Sequence, residues 1–559
     1  MLKYLFVLLI ISISLIACTA EASPEPAPAA AQAEPVAEGE ATQPPVATAT
    51  PLPVAPTATA GLDIDPNSRS PASTNPVTTD DALAMSDGEE TAGEPSAAAQ
   101  FETITCSPEM PGQLAVACGI LSVPENRSKP NSPTIDLVVA ILKAPGPKVR
   151  PDPIIYLAGG PGGSALSDLM SDPDTWPAYP FSQDRDLIFI DQRGTGYSIP
   201  SLNCPEVEFD EVFDGSAEQA CHDRLVAAGI DLTAYNTTEN AADIAALAQA
   251  LNYDSWNILG VSYGTRLALA VMRDHPAGIR SVILDSPFPP NANSVEEETV
   301  IVWEAMEILF RDCQNDAECE ANFPDLERVL LDTVDQLNND PQAEISGDDL
   351  LATIQSALFA GEEAIYLLPW MIYEVSEGRY DLYDEVADIA GDGASRFQGG
   401  GSEGSEDEDR TDSEGMYTSV ICRDEYAFSD YDHVESLAEA ALPEEALDGL
   451  FSTTAQTFDD CAMWGAGAAA SIENAAVISD IPTLILVGEY DPVTPPQWGR
   501  LTAETLSNGY YFELPGSGHS LLSANECAIQ AADAFIRNPG VEPDRSCVNR
   551  MSAPLFELP

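Results

Sequence analysis

From about residue 101 onward the chain alternates two kinds of hydrophobic pattern. Short, almost wholly apolar runs stand at 134–142 (TIDLVVAIL), 153–158 (PIIYLA), 186–190 (DLIFI), 256–259 (WNIL), 282–285, 483–487 (TLILV) and 510–514 (YYFEL). Runs of this length bounded by glycine, proline or aspartate predict strands. Between them, residues 239–251, 263–275 and 521–536 carry longer helical patterns. Apolar strands alternating with helices predict an α/β fold: a mostly parallel central sheet with helices on both faces. The interval 300–472 breaks the alternation. It is helical and acidic, with patterns at 302–310 and 364–375, and it contains a Gly/Ser/Asp/Glu-rich tract at 391–414 that predicts a disordered loop. It reads as a cap inserted into a core whose two parts are 101–299 and 473–559.

The N-terminal part has a different character. Lys3 is followed by an apolar run, 4–16, too short for a comfortable membrane span but suited to a signal peptide over 1–17. It ends in Leu15-Ile16-Ala17-Cys18, which resembles a bacterial lipobox, so Cys18 is the expected lipidated first residue of an exported chain. Residues 18–100 are rich in Ala, Pro, Glu and Thr and nearly free of aromatics. Such a stretch cannot bury enough apolar area to offset chain entropy, and it reads as a disordered linker to a membrane anchor.

Composition narrows the function. The chain has 23 basic against 92 acidic residues, a net charge of -69. Nothing in it would neutralise phosphates, which excludes nucleic acid as a partner. The acidity itself fits a solvated surface. Of 11 cysteines, Cys18 is set apart. The other ten fall as neighbours: Cys106 and Cys118, Cys204 and Cys221, Cys313 and Cys319, Cys422 and Cys461, Cys527 and Cys547. An exported chain would pair them as disulfides, and sequential pairing is the simplest arrangement. There is no Cys-x-x-Cys pair and the four histidines do not cluster, so neither a metal nor another cofactor is expected.

The candidate chemistry starts at Gly260-Val261-Ser262-Tyr263-Gly264, a Gly-x-Ser-x-Gly turn between a predicted strand and a predicted helix. A serine hydroxyl at neutral pH needs a base, a group that orients the base, and donors for the oxyanion. His519, in a glycine-rich loop past the last strand, is the candidate base. Asp491, in GEYDPVTPP after the strand 483–487, is the candidate orienter, with Glu489 and Asp285 as rivals. The order Ser, acid, His is that of an α/β-hydrolase. In GGPGGS (159–164) Pro161 cannot donate, and the Gly160 amide is paired here with the Tyr263 amide as the candidate oxyanion hole. Asp191 and Arg193 in DQRGTGYS are read as braces for the loops around the site.

GGPGGS, DQRGTGYS, GVSYG, GEYDPVTPP and GSGHS together resemble the α/β-hydrolase family of proline iminopeptidases and secreted tripeptidyl aminopeptidases, from Phe101 to the C-terminus and least in the cap. Ala158 departs from the pattern, standing where many relatives carry His. The resemblance implies a serine aminopeptidase with a peptide substrate. An exopeptidase must recognise a free ammonium, and Asp424 and Glu425 in Cys422-Arg423-Asp424-Glu425 are the candidate carboxylates. The residues alone also accommodate an esterase or lipase-like hydrolase acting on a small ester or amide, or a tethered lipoprotein that binds without catalysis.

Overall fold

A computed structural model describes residues 99–107, 110–112, 114–207, 215–397, 410–552 and 555–559. All belong to the body from Thr91 to Pro559. The predicted signal segment, Cys18, the linker up to residue 98 and residues 398–409 of the acidic tract lie outside the described residues; Gln100, counted with the linker, begins the first strand.

Nine strands form one sheet in the order β1-β2-β3-β5-β4-β6-β7-β8-β9. They are β1 (Gln100–Ile104), β2 (Val116–Pro124), β3 (Thr134–Leu142), β4 (Ile154–Leu157), β5 (Leu187–Ile190), β6 (Trp256–Val261), β7 (Ile279–Asp285), β8 (Thr483–Gly488) and β9 (Gly509–Leu514). From β5 through β9 every neighbouring pair is parallel, and β1, β2 and β3 add an antiparallel edge. Every residue of β4, β5 and β8 is buried, as a sheet covered on both faces requires. One face packs on the helices Thr237–Ala250 and Tyr263–Asp274; the other packs on Ala165–Ser171 and Glu526–Arg537. The chain leaves β4 for β5 on one side, then returns to β6 on the other. The carboxyl ends of β4 and β6 therefore flank a topological switch, where open α/β sheets place their ligands.

Between β7 and β8 the chain is helical and has its own apolar core. Its first helix, Ser294–Asn315, starts where the Asn293 side chain accepts the Glu296 amide and acids occupy the first turn. Helix Gly347–Ala360 starts at a capping box of Ser346 and Asp349. Two core residues reach into this cluster: Tyr490, just after β8, and Phe556 near the C-terminus.

Three differences from the sequence expectations have local causes. Residues 391–397 are not loop: they continue the helix Asp381–Phe397, because extending a formed helix is cheap even through Gly391 and Gly393. The pattern at 364–375 is two helices, Glu362–Ile365 and Leu368–Ser376, with Pro369 in the first turn of the second. The last helix starts at Glu526, not 521, because Asn525 caps it and Leu521–Ser523 forms a separate 3-10 turn.

Five disulfides join the ten cysteines in the sequential pairs expected. Cys106 bonds Cys118, which ties the segment after β1 to β2. Cys204 bonds Cys221, and Cys527 bonds Cys547, which fastens the C-terminal segment to the last helix. Cys313 bonds Cys319 and Cys422 bonds Cys461, both inside the insertion. The Cys422–Cys461 bridge closes a separation of 39 residues and Cys313–Cys319 only 6. Loop-closure entropy then assigns about 4 kcal/mol to the first and about 2 kcal/mol to the second. Denaturant unfolding of Cys422→Ser/Cys461→Ser should show the larger loss of stability, and an equal or smaller loss than in Cys313→Ser/Cys319→Ser would refute that ranking.

Candidate active site

Ser262 sits between β6 and the helix Tyr263–Asp274 with φ 55° and ψ -125°. Positive φ is strained for a residue with a side chain, and the packing around the turn holds it there. A Cβ at Gly264 would stand 2.1 Å from the Leu157 carbonyl oxygen of β4, and one at Gly260 would stand 2.4 Å from the Gly264 carbonyl oxygen. Both glycines are thus fixed by close backbone approach. They let the helix start directly against β4.

Asp285, the last residue of β7, ties this turn to the histidine loop. Its carbonyl oxygen accepts the Ser262 amide at 2.9 Å. Its carboxylate accepts the Leu521 and Leu522 amides, each at 2.9 Å. The neighbouring Ser286 hydroxyl accepts the Ser520 amide at 2.8 Å. Burial pushes the Asp285 carboxyl up to about 6, against those two amides. Asp285 is therefore engaged by backbone and not by the His519 ring.

The ring is held by Asp491. Nδ1 of His519 lies 2.8 Å from Asp491 Oδ2, with both side chains buried. The Thr494 hydroxyl donates to the same oxygen at 2.7 Å, and the Val493 and Thr494 amides donate to Oδ1 at 2.9 and 2.8 Å. Burial alone would raise this carboxyl, but the His519 ring and the Thr494 donors outweigh it and hold it below the usual carboxylate range. An ionised Asp491 fixes the proton on Nδ1 and leaves the Nε2 lone pair free to accept one. The helical insertion also grips the loop: the His519 amide donates to the Phe359 carbonyl at 3.1 Å, and the two rings stack at 4.6 Å. Among the described residues no hydrogen bond joins Ser262 to the ring; such contacts often tighten only with substrate bound. Glu489 takes no part. It pairs with Arg311 at 3.2 Å and accepts the Gly516 amide at 3.1 Å.

The glycine-rich loop follows β4. Within it the Gly163 amide donates to the Gly159 carbonyl and the Ser164 amide to the Thr411 carbonyl. Among the described residues the Gly160 and Tyr263 amides donate to no protein acceptor. Asp191 braces the loop through the Ser164 hydroxyl at 2.9 Å and the Leu166 amide at 3.0 Å. Arg193, fully buried, makes a two-pronged contact with Asp243 at 2.8 and 3.0 Å.

Asp424 and Glu425 lie side by side and have protein partners. Both are buried at the end of the helix Glu414–Asp424. Glu425 is ion-paired with the buried Arg266 and accepts the Ser294 amide; Asp424 bonds Arg423 at 2.8 Å and accepts the Thr237 amide at 3.3 Å. Arg423 is shared between Asp424 and Glu473, so with Arg266 on Glu425 two arginines face three carboxylates, and burial pushes the Glu425 carboxyl up to about 7. Thr494 was legible as an Asx-turn partner, being the third residue after Asp491. Asp285 as a loop anchor and Phe359 as a stacking partner had no local sequence signal.

Asp491→Asn should lower kcat by about 10⁴-fold, the scale seen when a triad acid loses its charge and the tautomer inverts. The depressed carboxyl contributes stability that is present above its ordinary value of 3.8 and lost as pH falls below it. The stability gap between wild type and variant, read by denaturant unfolding from pH 6 to pH 3, should therefore narrow on acidification. A gap that widens would contradict this.

An α/β-hydrolase fold family matches residues 152–311, which include Ser262. A family described as TAP-like protein matches residues 450–547, which include Asp491 and His519. The serine protease Hip1 of Mycobacterium tuberculosis is 24% identical over 467 residues, covering 75% of this chain and 84% of that protein. A tripeptidyl aminopeptidase of Streptomyces coelicolor is 29% identical over 199 residues, 32% of this chain and 36% of that one. The crystal structure of a proline iminopeptidase from Mycobacterium smegmatis aligns over 75% of this chain and 98% of its own, with 15% identity and a TM-score of 0.36. Sheet order, strained serine turn and family matches agree: the chain is a serine hydrolase of the α/β-hydrolase fold, completed by a TAP-like segment.

Proposed function

We propose that the chain is an exported serine aminopeptidase that removes N-terminal residues or short peptides through an acyl-enzyme on Ser262. The observation that carries this is the buried Asp491–His519 pair beside the strained Ser262 turn. In this reading His519 Nε2 takes the Ser262 proton as the hydroxyl attacks the peptide carbonyl. The Gly160 and Tyr263 amides receive the oxyanion. His519 then protonates the leaving amine, and water, deprotonated by the same ring, hydrolyses the ester. Kinship with proteins named serine protease and tripeptidyl aminopeptidase favours a peptide over a simple ester.

An aminopeptidase needs a carboxylate for the substrate ammonium; Asp424 and Glu425 are kept for that role, with Glu298 as a further candidate. It lies in the first cap helix, half-buried, and among the described residues its side chain has no ion pair or hydrogen bond. Burial alone raises its carboxyl. The experiment compares a tripeptidyl amide with its N-acetylated form, using Ser262→Ala as the inactive control. Acetylation should cut kcat/KM by about 100-fold, the worth of one charge-assisted contact in a partly desolvated site. Glu425→Gln and Glu298→Gln test the two positions, and the variant that removes the ammonium partner should raise KM for the free amine only. Equal turnover of the two forms would make the enzyme an esterase-like hydrolase instead.

Export is supported by the five disulfides and by the leader pattern ahead of Cys18. Among the described residues no helix is long and apolar enough to cross a membrane. We assign anchoring to a lipid on Cys18, at the lipobox-like ending Leu15-Ile16-Ala17-Cys18. Cys18→Ser should shift the protein from the membrane to the soluble fraction, and unchanged partition would exclude the anchor.

A further inference from the structure

The cap does more than cover the site: one of its segments is built into the loop proposed to bind the oxyanion. Residues 410–413, directly before the helix Glu414–Asp424, thread between the glycine-rich loop 159–164 and the segment 194–204. The Thr411 carbonyl accepts the Ser164 amide at 2.9 Å. The Arg410 carbonyl accepts the Ser167 hydroxyl at 3.2 Å. The Ser413 carbonyl lies so close to Gly162 that a Cβ there would stand 2.6 Å from its oxygen, and Gly162 itself has φ 108°. Only glycine lets the two backbones meet in this way.

The segment is fixed from its other side as well. The Arg410 guanidinium lies 4.8 Å over the Tyr197 ring, and the Tyr197 amide is bound by Asp191, the same carboxylate that braces Ser164. Ser413 is buried and caps its helix by accepting the Met416 amide. At the start of that helix, the Gly415 amide donates to the Leu202 carbonyl at 3.1 Å, and the Glu414 carboxylate accepts the Cys204 amide at 2.9 Å. The Cys204–Cys221 and Cys422–Cys461 disulfides tie the two sides into the core and the cap. Residues 410–413 thus touch the glycine-rich loop at Gly162 and Ser164, and the first turn of the helix after it at Ser167.

We propose that Arg410, Thr411 and Ser413 form a positioning strut that holds the Gly159–Ser164 loop at the spacing its amide needs to receive the oxyanion. None of the three touches substrate; they act through the loop. Loop amides used in this way must already point at the developing charge, because any reorganisation during the reaction is subtracted from their contribution. Four glycines leave the loop soft and Pro161 fixes only its own φ, so much of the stiffness comes from outside the loop, from Asp191 on Ser164 and from the strut. The inference rests on the reading of Ser262 and Gly160 given above.

The test uses the full chain and a small activated ester, with Arg410→Ala, Ser167→Ala and their combination, and Arg410→Lys as the variant that keeps a cation over Tyr197. Fluorophosphonate labelling of wild type at Ser262 is read first. Expected results are a fall in kcat of about tenfold or more in the double variant, part of the 10²–10³ that complete loss of one donor costs, with KM nearly unchanged. Affinity for a boronic acid, which mimics the tetrahedral state, should fall in parallel, and Arg410→Lys should recover most of both. Thermal unfolding separates a loosened loop from a misfolded chain. Wild-type kcat and boronate affinity in a folded double variant overturn the strut alone. Failure of wild type to label overturns the underlying reading of Ser262, and the strut with it.

Discussion

Asp285 is the residue on which the geometry of the site turns. Its backbone holds the Ser262 amide and its carboxylate holds the amides of Leu521 and Leu522. Two segments more than 250 residues apart in sequence are thereby fixed to one point at the end of β7. The arrangement places a carboxylate where burial disfavours its charge, and the two amides compensate in part. Remove either half and the Ser262 turn and the His519 loop no longer share an origin. The Asp491–His519 pair sets the direction of the ring; Asp285 sets where the loop that carries the ring begins.

What could be read from the sequence follows the range of the interactions involved. The strands β3 to β9 and the Ser262 turn were legible because each is encoded within a few residues: apolar runs, flanking glycines, a change of period. Asp491 and His519 were legible because loops after strands are where such groups occur. Strands β1 and β2 were not, since Gln100–Ile104 is short and Val116–Pro124 carries a cysteine, a glycine and a proline that obscure the alternation. The pairing of Glu425 with Arg266, and of Asp424 with the Thr237 amide, was invisible for another reason. A carboxylate's availability depends on what the fold brings to it, and Arg266 and Thr237 come from separate helices. The stack of Phe359 on His519 and the contact of Ser413 with Gly162 are likewise long-range facts.

The cap is joined to the core in both directions. Phe359 and residues 410–413 reach from the insertion to the two loops of the site, while Tyr490 and Phe556 reach from the core into the insertion's apolar cluster. Burying an aromatic of this size contributes about 2–3 kcal/mol, so the two inserted rings bind the layers as firmly as a further helix contact would.

The position of the insertion between β7 and β8 also sets the order of folding. The cap has its own apolar cluster and two internal disulfides, so much of it can pack before β8 exists. Pairing β8 with β7 must wait until the whole insertion has been made, and only then do Asp491 and His519 arrive beside a serine already present. Loop closure on that scale is slow compared with helix formation. A chain still being made, or caught with β8 and β9 unpaired, carries Ser262 but not the histidine that would serve it. The topology thus withholds the assembled site until the sheet is complete, and a newly made chain needs no separate inhibitor to pass through synthesis inert.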